Sequence, residues 1–128
     1  MRILLDTNVL LWLVTGDRRA DSVVSLVKDS SNEVFFSAAS VWEIAVKNQI
    51  GKLPVDPAEA VEEFRRAGFD ELAIRSAHAE NLTEIPYLEM HKDPFDRMIL
   101  FQAITENLTL ITGDQKFRFY EFKNLMII

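Results

Sequence analysis

Four acidic residues stand where a predicted strand ends or a predicted helix begins. They are Asp6, Glu43, Asp96 and Asp114. Carboxylates held side by side raise one another's pKa, so such a cluster is unfavourable without a cation. Carboxylates and water are the ligands that Mg²⁺ and Mn²⁺ prefer, and a hydrated metal ion can supply the water that attacks a phosphodiester. The four acids therefore predict a divalent-metal site with hydrolytic chemistry.

Each acid also has a purely structural explanation. Asp6 could cap the first helix, and Asp114 could cap the short segment that follows it. Glu43 lies three residues after Ser40, which fits an S-x-x-E capping box. Asp96 lies in a first helical turn, where the helix dipole favours any carboxylate. The hypothesis of a metal site therefore depends on the convergence of all four acids.

Short polar and basic side chains accompany the acids. Four polar residues follow the predicted strands: Thr7, Asn8, Ser37 and Thr112. They could orient water molecules on a metal ion or simply complete turns. Lys47 and Arg97 are predicted to be the phosphate contacts. The two histidines, His78 and His91, have no partner spaced for a zinc site or a catalytic triad, and His91 is interpreted as a loop residue.

Short apolar runs alternate with helical segments along the chain and would position these groups. The predicted strands are Ile3–Leu5, Val34–Phe36, Phe69–Ile74, Leu108–Ile111 and Asn124–Ile128. The first predicted helix begins near Val9. The other predicted helices cover Ala20–Lys28, Ala38–Gln49, Ala58–Ala67, Ala77–Glu84 and a segment from Pro94 to about Glu106. This alternation predicts a three-layer α/β/α fold with a central, mostly parallel five-stranded sheet. With strand one in the centre, flanked by strands two and four, Asp6 and Asp114 meet at one sheet edge, beside the helix of Glu43.

Two of the helices carry signals about their orientation. The helix over 38–49 is expected to place Trp42 in the core and Ser40, Glu43 and Lys47 on the opposite face. The Asp-Pro pair at 93–94 predicts a helix start, with the aspartate as N-cap and the proline at the first helical position.

The composition sets further limits. The chain has 128 residues, a net charge of −6 and no cysteine. The length fits one domain over residues 1–128. The acidic balance argues against a general nucleic-acid coat protein but is compatible with a nuclease that gathers carboxylates at a metal site. The lack of cysteine excludes disulfides and thiolate zinc sites and fits a cytoplasmic protein. The longest apolar run, Val9–Val14, is far shorter than the roughly 20 residues of a membrane helix, so no membrane span is expected.

Four segments together resemble a known family. LLDTNVLLW, SAASVWEI, KDPFDRMILFQA and LITGD occur in the order and spacing of the PIN-domain nucleases, and specifically of the VapC-type toxins of bacterial toxin–antitoxin pairs. The resemblance extends over essentially the whole chain. Carried over by position, it implies that Asp6, Glu43, Asp96 and Asp114 bind the metal, and it favours Asp96 over Asp93 as the shared acid.

The same resemblance implies an activity and partners. The expected activity is Mg²⁺- or Mn²⁺-dependent cleavage of RNA by an endoribonuclease. The expected partners are a second copy of the chain, in a homodimer, and a small cognate antitoxin. Because a guanidinium can balance clustered carboxylates, we expect the antitoxin to insert a basic residue into the acidic site.

Two alternatives remain open at this point. A catalytically inactive PIN-like module that binds RNA or protein would have the same fold, since fold does not imply function. It would be expected to lack at least one of the four acids. A phospho-acceptor signalling domain also places acids at strand ends, but it would need an acidic pair after strand one, where Thr7 follows Asp6.

Overall fold

The sheet of the protein is parallel throughout. In the computed structural model, which describes residues 1–128, five strands lie in the order β3-β2-β1-β4-β5. The strands are β1 (Arg2–Leu5), β2 (Glu33–Ser37), β3 (Asp70–Leu72), β4 (Thr109–Thr112) and β5 (Leu125–Ile127). Every neighbouring pair is parallel, so the carboxyl ends of all strands meet at one edge. The predicted five-stranded sheet with a central first strand is confirmed.

Six helices connect and cover the strands. They are α1 (Thr7–Thr15), α2 (Asp21–Lys28), α3 (Ala38–Gln49), α4 (Pro57–Arg66), α5 (Ser76–Glu80) and α6 (Pro94–Thr105). Short 3-10 helices cover Arg18–Ala20, Leu82–Glu84 and Gln115–Phe119. None of the helices has the length and apolar character that crossing a membrane would require.

Two apolar clusters hold helices to the two faces of the sheet. Successive side chains of a strand point to opposite faces, and β1 follows this rule. Ile3 and Leu5 belong to one buried cluster, which includes Val9 of α1 and Phe64 of α4. Leu4 belongs to the other cluster, together with most of the apolar residues of α6. The sheet therefore lies between two helical layers, as the alternation of elements predicts.

The register of the central strands brings their ends together. Leu5 pairs with Phe36 of β2 and with Ile111 of β4. The next residue, Asp6, donates its backbone N–H to the carbonyl of Ile111 at 2.9 Å. Asp6, the first residue after β1, consequently lies level with Ser37 and Thr112, the last residues of β2 and β4.

The predicted orientation of α3 is wrong for its tryptophan. Trp42 is 59% exposed, whereas Ser40, Glu43 and Ile44 are buried. The helix is packed between α4 and α6, and this position turns its small and acidic residues inward. The capping-box interpretation of Ser40 is also wrong, because Ser37 caps the helix by accepting the backbone N–H of Ala39.

The ends of two other predicted elements differ from the structure. The third strand is shorter than predicted and covers Asp70–Leu72 alone. The helix predicted over 77–84 ends at Glu80 and continues as a separate 3-10 turn. The Asn81 side chain donates to the carbonyl of Ala77 there, which competes with the continuation of the helix.

Gly113, just after β4, allows a close approach of α1 to the sheet. A Cβ atom at this position would overlap the six-membered ring of Trp12. The backbone N–H of Gly113 also donates to the side chain of Asn8 at 3.4 Å. Glycine is therefore required here because the ring of Trp12 lies against it, and not for its backbone conformation.

We predict that Gly113→Ala lowers the free energy of unfolding by about 1–3 kcal/mol, the usual range for overpacking. Urea unfolding followed by circular dichroism measures this change. In a Trp12→Leu background the ring is gone, so the added methyl group should cost much less. An equal cost in both backgrounds would show that the Trp12 contact is not the cause.

Candidate active site

The four predicted acids line one cavity. Its volume is about 340 Å³, and it lies at the carboxyl edge of the sheet. A fifth acid, Asp93, lines the same cavity, as do the basic residues Lys47 and Lys52. The remaining lining residues are Thr7, Asn8, Leu11, Ile44 and Leu53. The fold therefore gathers into one place acids that are far apart in the sequence.

Asp6 is both a helix cap and a cavity residue. It is 2% exposed and lies between β1 and α1. One carboxylate oxygen accepts the backbone N–H of Thr7 at 2.8 Å, and the other accepts the hydroxyl of Thr112 at 2.6 Å. These bonds fix the orientation of the carboxylate. Asp6 can thus cap α1 and also bind a metal ion, because each carboxylate oxygen has a further lone pair.

Glu43 has an oxygen without a donor. The side chain projects from α3, is 4% exposed, and its Oε2 accepts from Lys47 Nζ at 2.6 Å. The buried Oε1 has no hydrogen-bond partner. A buried polar atom without a partner carries a desolvation cost, and the cost is larger for a charged group. This oxygen is therefore suited to a cation.

Asp93 and Asp96 lie at the start of α6 with different contacts. Asp93 is the N-cap and accepts the backbone N–H groups of Phe95 at 2.8 Å and Asp96 at 3.1 Å. This confirms the predicted Asp-Pro helix start. The Asp96 side chain instead accepts from His91 Nε2 at 2.9 Å. Both carboxylates, together with that of Glu43, offer ligand atoms within 4.8 Å of one another.

Asp114 is held by the turn after β4. It caps the 3-10 helix Gln115–Phe119 and accepts the backbone N–H of Lys116 at 2.9 Å. Its own backbone N–H donates to the Thr112 hydroxyl at 3.0 Å. Its Oδ2 lies 3.7 Å from His91 Nε2. The same threonine therefore holds both Asp6 and Asp114.

Burial and mutual repulsion change the acidity of two carboxyl groups. Burial, together with the nearby charge of Asp96, raises the pKa of Asp6 to about 7. Burial, with the charges of Asp93, Glu43 and Asp114, raises the pKa of Asp96 to about 8. Both groups therefore hold protons near neutral pH in the metal-free protein. A divalent cation would compete with these protons for the same oxygens.

The predicted supporting residues divide into two groups. Thr7 and Asn8 line the cavity, whereas Ser37 and Thr112 do not. The Thr7 hydroxyl donates to that of Ser40 at 2.8 Å. Ser37 caps α3 and hydrogen-bonds to Gln102, so its contacts agree with a role in the turn and not with a role in orienting water on a metal ion.

The two predicted phosphate contacts also differ in position. Lys47 lines the cavity, and its side chain is 45% exposed. Arg97 is buried, and its guanidinium donates to the carbonyl of Pro86 at 2.7 Å. It is not among the residues that line the cavity. The geometry therefore favours Lys47, with Lys52, over Arg97 for contact with an anion.

His91 is a loop residue, as the sequence indicates, but its burial and its contact with a site carboxylate were not predicted. It is 2% exposed, and its Nε2 contacts Asp96. Burial lowers its pKa. The sequence signal was its place five residues before Asp96. A loop separates the two residues, so no helical or strand periodicity revealed the contact.

The donor set fits a hard divalent ion. The carboxylates of Glu43, Asp93 and Asp96 offer oxygen ligands within 4.8 Å of one another, and the ring of His91 lies within the same distance of Asp96 and Asp114 but is already hydrogen-bonded to Asp96. The buried Glu43 Oε1 lacks any other partner. Oxygen-rich sites of this kind suit Mg²⁺ or Mn²⁺.

We predict that the metal-free protein loses stability as pH rises from about 4 to about 8. Asp6 and Asp96 have raised pKa values, so over this range the folded state binds more protons than the unfolded state, and stability falls with pH. Asp96→Asn removes one of the charges. At pH 8, without metal, it should be more stable than the parent by at least about 1 kcal/mol.

Thermal unfolding at several pH values, with and without Mg²⁺, measures both effects. The metal should stabilise the parent at pH 8 and have little effect on Asp96→Asn. A variant that is less stable than the parent at pH 8 would show that carboxylate repulsion does not limit the stability of the fold.

Comparisons with known proteins bear on the fold and on the family of the chain. Over 57 residues, the chain is 39% identical to Ribonuclease VapC16 of Mycobacterium tuberculosis; the alignment covers 42% of the chain and 40% of that protein's length. The structure is similar to that of VapBC2 from Rickettsia felis bound to a DNA fragment from its promoter, with a TM-score of 0.70 and 19% identity over 100% of this chain and 98% of the other. It is also similar to a domain of a functionally unknown protein from Methanocaldococcus jannaschii, with a TM-score of 0.56 and 17% identity over 99% and 90% of the two chains.

At such low identities the two structural similarities establish the fold alone. The family comparison goes further, because the model of the PIN domain family matches residues 3–123. That range includes all five acids of the cavity and three of the five strands in full. The chain belongs to the PIN domain family.

Proposed function

We propose that the protein is a divalent-metal-dependent endoribonuclease and acts as the toxin of a toxin–antitoxin pair. The observation that carries this proposal is the cavity of five carboxylates in which the buried Glu43 Oε1 has no donor. Membership of the PIN family supports a nuclease. The name of the relative Ribonuclease VapC16 supports RNA as the substrate. A cytoplasmic location is part of the same proposal.

Asp6, Glu43, Asp96 and Asp114 would hold Mg²⁺ or Mn²⁺. The ion would supply an activated water molecule and neutralise charge on the phosphate oxygens. Hydrolysis forms a bond from the water oxygen to phosphorus and breaks the bond to one ribose oxygen. A carboxylate of the cavity would accept the proton of that water molecule.

The other residues of the cavity would position these groups and the substrate. Thr112 and the backbone N–H of Thr7 fix the Asp6 carboxylate. Lys47 and Lys52 are the basic residues of the cavity wall. In a chain with a net charge of −6, they offer the local positive charge that an RNA phosphate needs. The ammonium group of Lys47 would remain in contact with Glu43 and, because the side chain is partly exposed, would also contact the phosphate.

Two protein partners belong to the proposal. The first is a small antitoxin that would place a basic side chain among the carboxylates. A guanidinium can bind two carboxylate oxygens at once, so it would compete with the metal for the same atoms. The second is another copy of the chain, in a homodimer. Both follow from the resemblance to VapC-type toxins, and the similarity to the VapBC2 structure supports the fold on which that resemblance depends.

We predict that the protein cleaves single-stranded RNA only when Mg²⁺ or Mn²⁺ is present. Asp6→Asn keeps the shape of the side chain and its cap but removes the charge, so it should slow cleavage by about 100-fold or more. Cleavage of a labelled RNA with metal and with EDTA measures this. Asp56→Asn is the matched control, because Asp56 caps α4 through the N–H of Glu59 and does not line the cavity.

Each comparison in this experiment has an outcome that would contradict the proposal. Cleavage that continues in EDTA would exclude metal dependence. Asp6→Asn cleaving as fast as Asp56→Asn would show that the cavity is not the active site. A parent protein that binds RNA and metal without cleaving RNA would favour the inactive binding module.

A second prediction separates the roles of Asp93 and Asp96. Asp93→Ala removes the cap of α6 and should lower the free energy of unfolding by about 1 kcal/mol, whereas Asp93→Asn keeps the cap. Both variants should retain cleavage, while Asp96→Asn should lose it. Urea unfolding and RNA cleavage measured on the same preparations test this. Loss of cleavage in Asp93→Asn would instead place Asp93 among the metal ligands.

A further inference from the structure

His91 is buried directly behind the carboxylates of the cavity. It is 2% exposed, yet it lies outside every helix and strand. Its Nε2 is 2.9 Å from Asp96 Oδ2 and 3.7 Å from Asp114 Oδ2. The imidazole is therefore in contact with one proposed metal ligand and within 4 Å of a second. It does not line the cavity itself, so it faces the rear of these groups.

The hydrogen bonds of His91 run in one direction. With a metal ion bound, Asp96 would be ionised and its oxygens could only accept, so Nε2 then carries the hydrogen of the bond to Asp96. On the other side of the ring, Nδ1 lies 3.0 Å from the hydroxyl of Tyr120. The hydroxyl then donates to Nδ1. A chain of two hydrogen bonds, from Tyr120 through His91 to Asp96, thus fixes the tautomer of the ring and presents one N–H to the carboxylate.

Packing holds this ring in place. His91 meets Phe117 edge to face with ring centroids 4.7 Å apart, and it meets Tyr120 at 5.4 Å. The backbone N–H of His91 donates to the carbonyl of Leu88 at 3.0 Å. Phe117 and Tyr120 belong to the segment that Asp114 caps. The segment capped by Asp114 therefore packs against the ring of His91, and the ring in turn donates to Asp96.

We propose that His91 is a positioning residue, which together with Tyr120 orients the Asp96 carboxylate for the divalent ion. This inference rests on the proposed function. Asp96 stands among like charges, and a free carboxylate there would rotate away from its neighbours. The N–H of His91 offsets this repulsion and leaves the second carboxylate oxygen available. Partners that act in this way on metal ligands commonly change metal affinity or activity by about 10–100-fold when they are removed.

His78 provides a matched control within the same chain. It is 1% exposed, so the two histidines are equally buried. Its Nδ1 accepts the backbone N–H of Arg75 at 2.9 Å, and its Nε2 is 3.0 Å from a carboxylate oxygen of Glu106. Neither His78 nor these two partners line the cavity. Replacing His78 therefore measures what losing a buried histidine with the same number of polar contacts does to the fold alone.

The experiment measures Mn²⁺ binding by titration calorimetry in the absence of RNA, and RNA cleavage as a function of Mn²⁺ concentration. The variants are His91→Ala, His91→Gln, Tyr120→Phe and His78→Gln. We expect His91→Ala to weaken Mn²⁺ binding by about 10–100-fold. His91→Gln should be weakened less, because its amide can still donate to Asp96. Tyr120→Phe should lie between the parent and His91→Ala, while His78→Gln should bind Mn²⁺ like the parent.

Melting temperatures separate positioning from stability. His78→Gln should unfold at a lower temperature with unchanged Mn²⁺ affinity. The proposal is overturned if His91→Ala binds Mn²⁺ as the parent does, or if His78→Gln weakens binding by the same factor as His91→Ala. If the parent binds Mn²⁺ but cleaves no RNA, the proposed function fails, and the order of affinities among the variants still decides the role of His91.

Discussion

The burial of several carboxylates side by side is the interaction on which the rest of the structure depends. Asp6 and Glu43 are almost fully buried, and burial, together with neighbouring negative charges, raises the pKa of Asp6 and of Asp96. Carboxylates that repel one another would move apart unless helices and strands held them in place. The inner strand β1, which is buried from Ile3 to Leu5, supplies that support from below. Backbone N–H groups, the Thr112 hydroxyl and the Lys47 ammonium supply donors, and the remaining imbalance is what a metal ion or a guanidinium can remove.

Sequence alone predicts those parts of the site that depend on local signals. Asp6 follows an apolar run, so both the end of the strand and the place of the acid could be inferred. The Asp-Pro pair at 93–94 gives the start of α6, and with it the position of Asp96 in the first turn. The meeting of Asp6 and Asp114 follows from parallel strands, because their carboxyl ends lie at the same edge of the sheet. These inferences succeed because caps, turns and strand ends involve residues that are close in the chain.

The parts that sequence did not predict depend on contacts between distant elements. His91 reaches Tyr120, which is 29 residues away, and a loop residue carries no periodic pattern that could indicate such a contact. Trp42 was expected in the core because of its apolar character. The packing of α3 between α4 and α6 instead leaves it exposed against Phe95, with ring centroids 4.8 Å apart. The free oxygen of Glu43 is likewise a property of the assembled cavity, since no local pattern shows which oxygen Lys47 will bind.

Three of the five acids in the cavity are also helix caps: Asp6, Asp93 and Asp114. Asparagine caps a helix about as well as aspartate, whereas alanine does not. A single nucleotide change converts an aspartate codon into an asparagine codon. At these positions the chain is therefore one mutational step from a protein that keeps its fold while losing charge from its cavity. Alanine scanning at these positions would confuse the loss of chemistry with the loss of a cap, whereas asparagine separates the two.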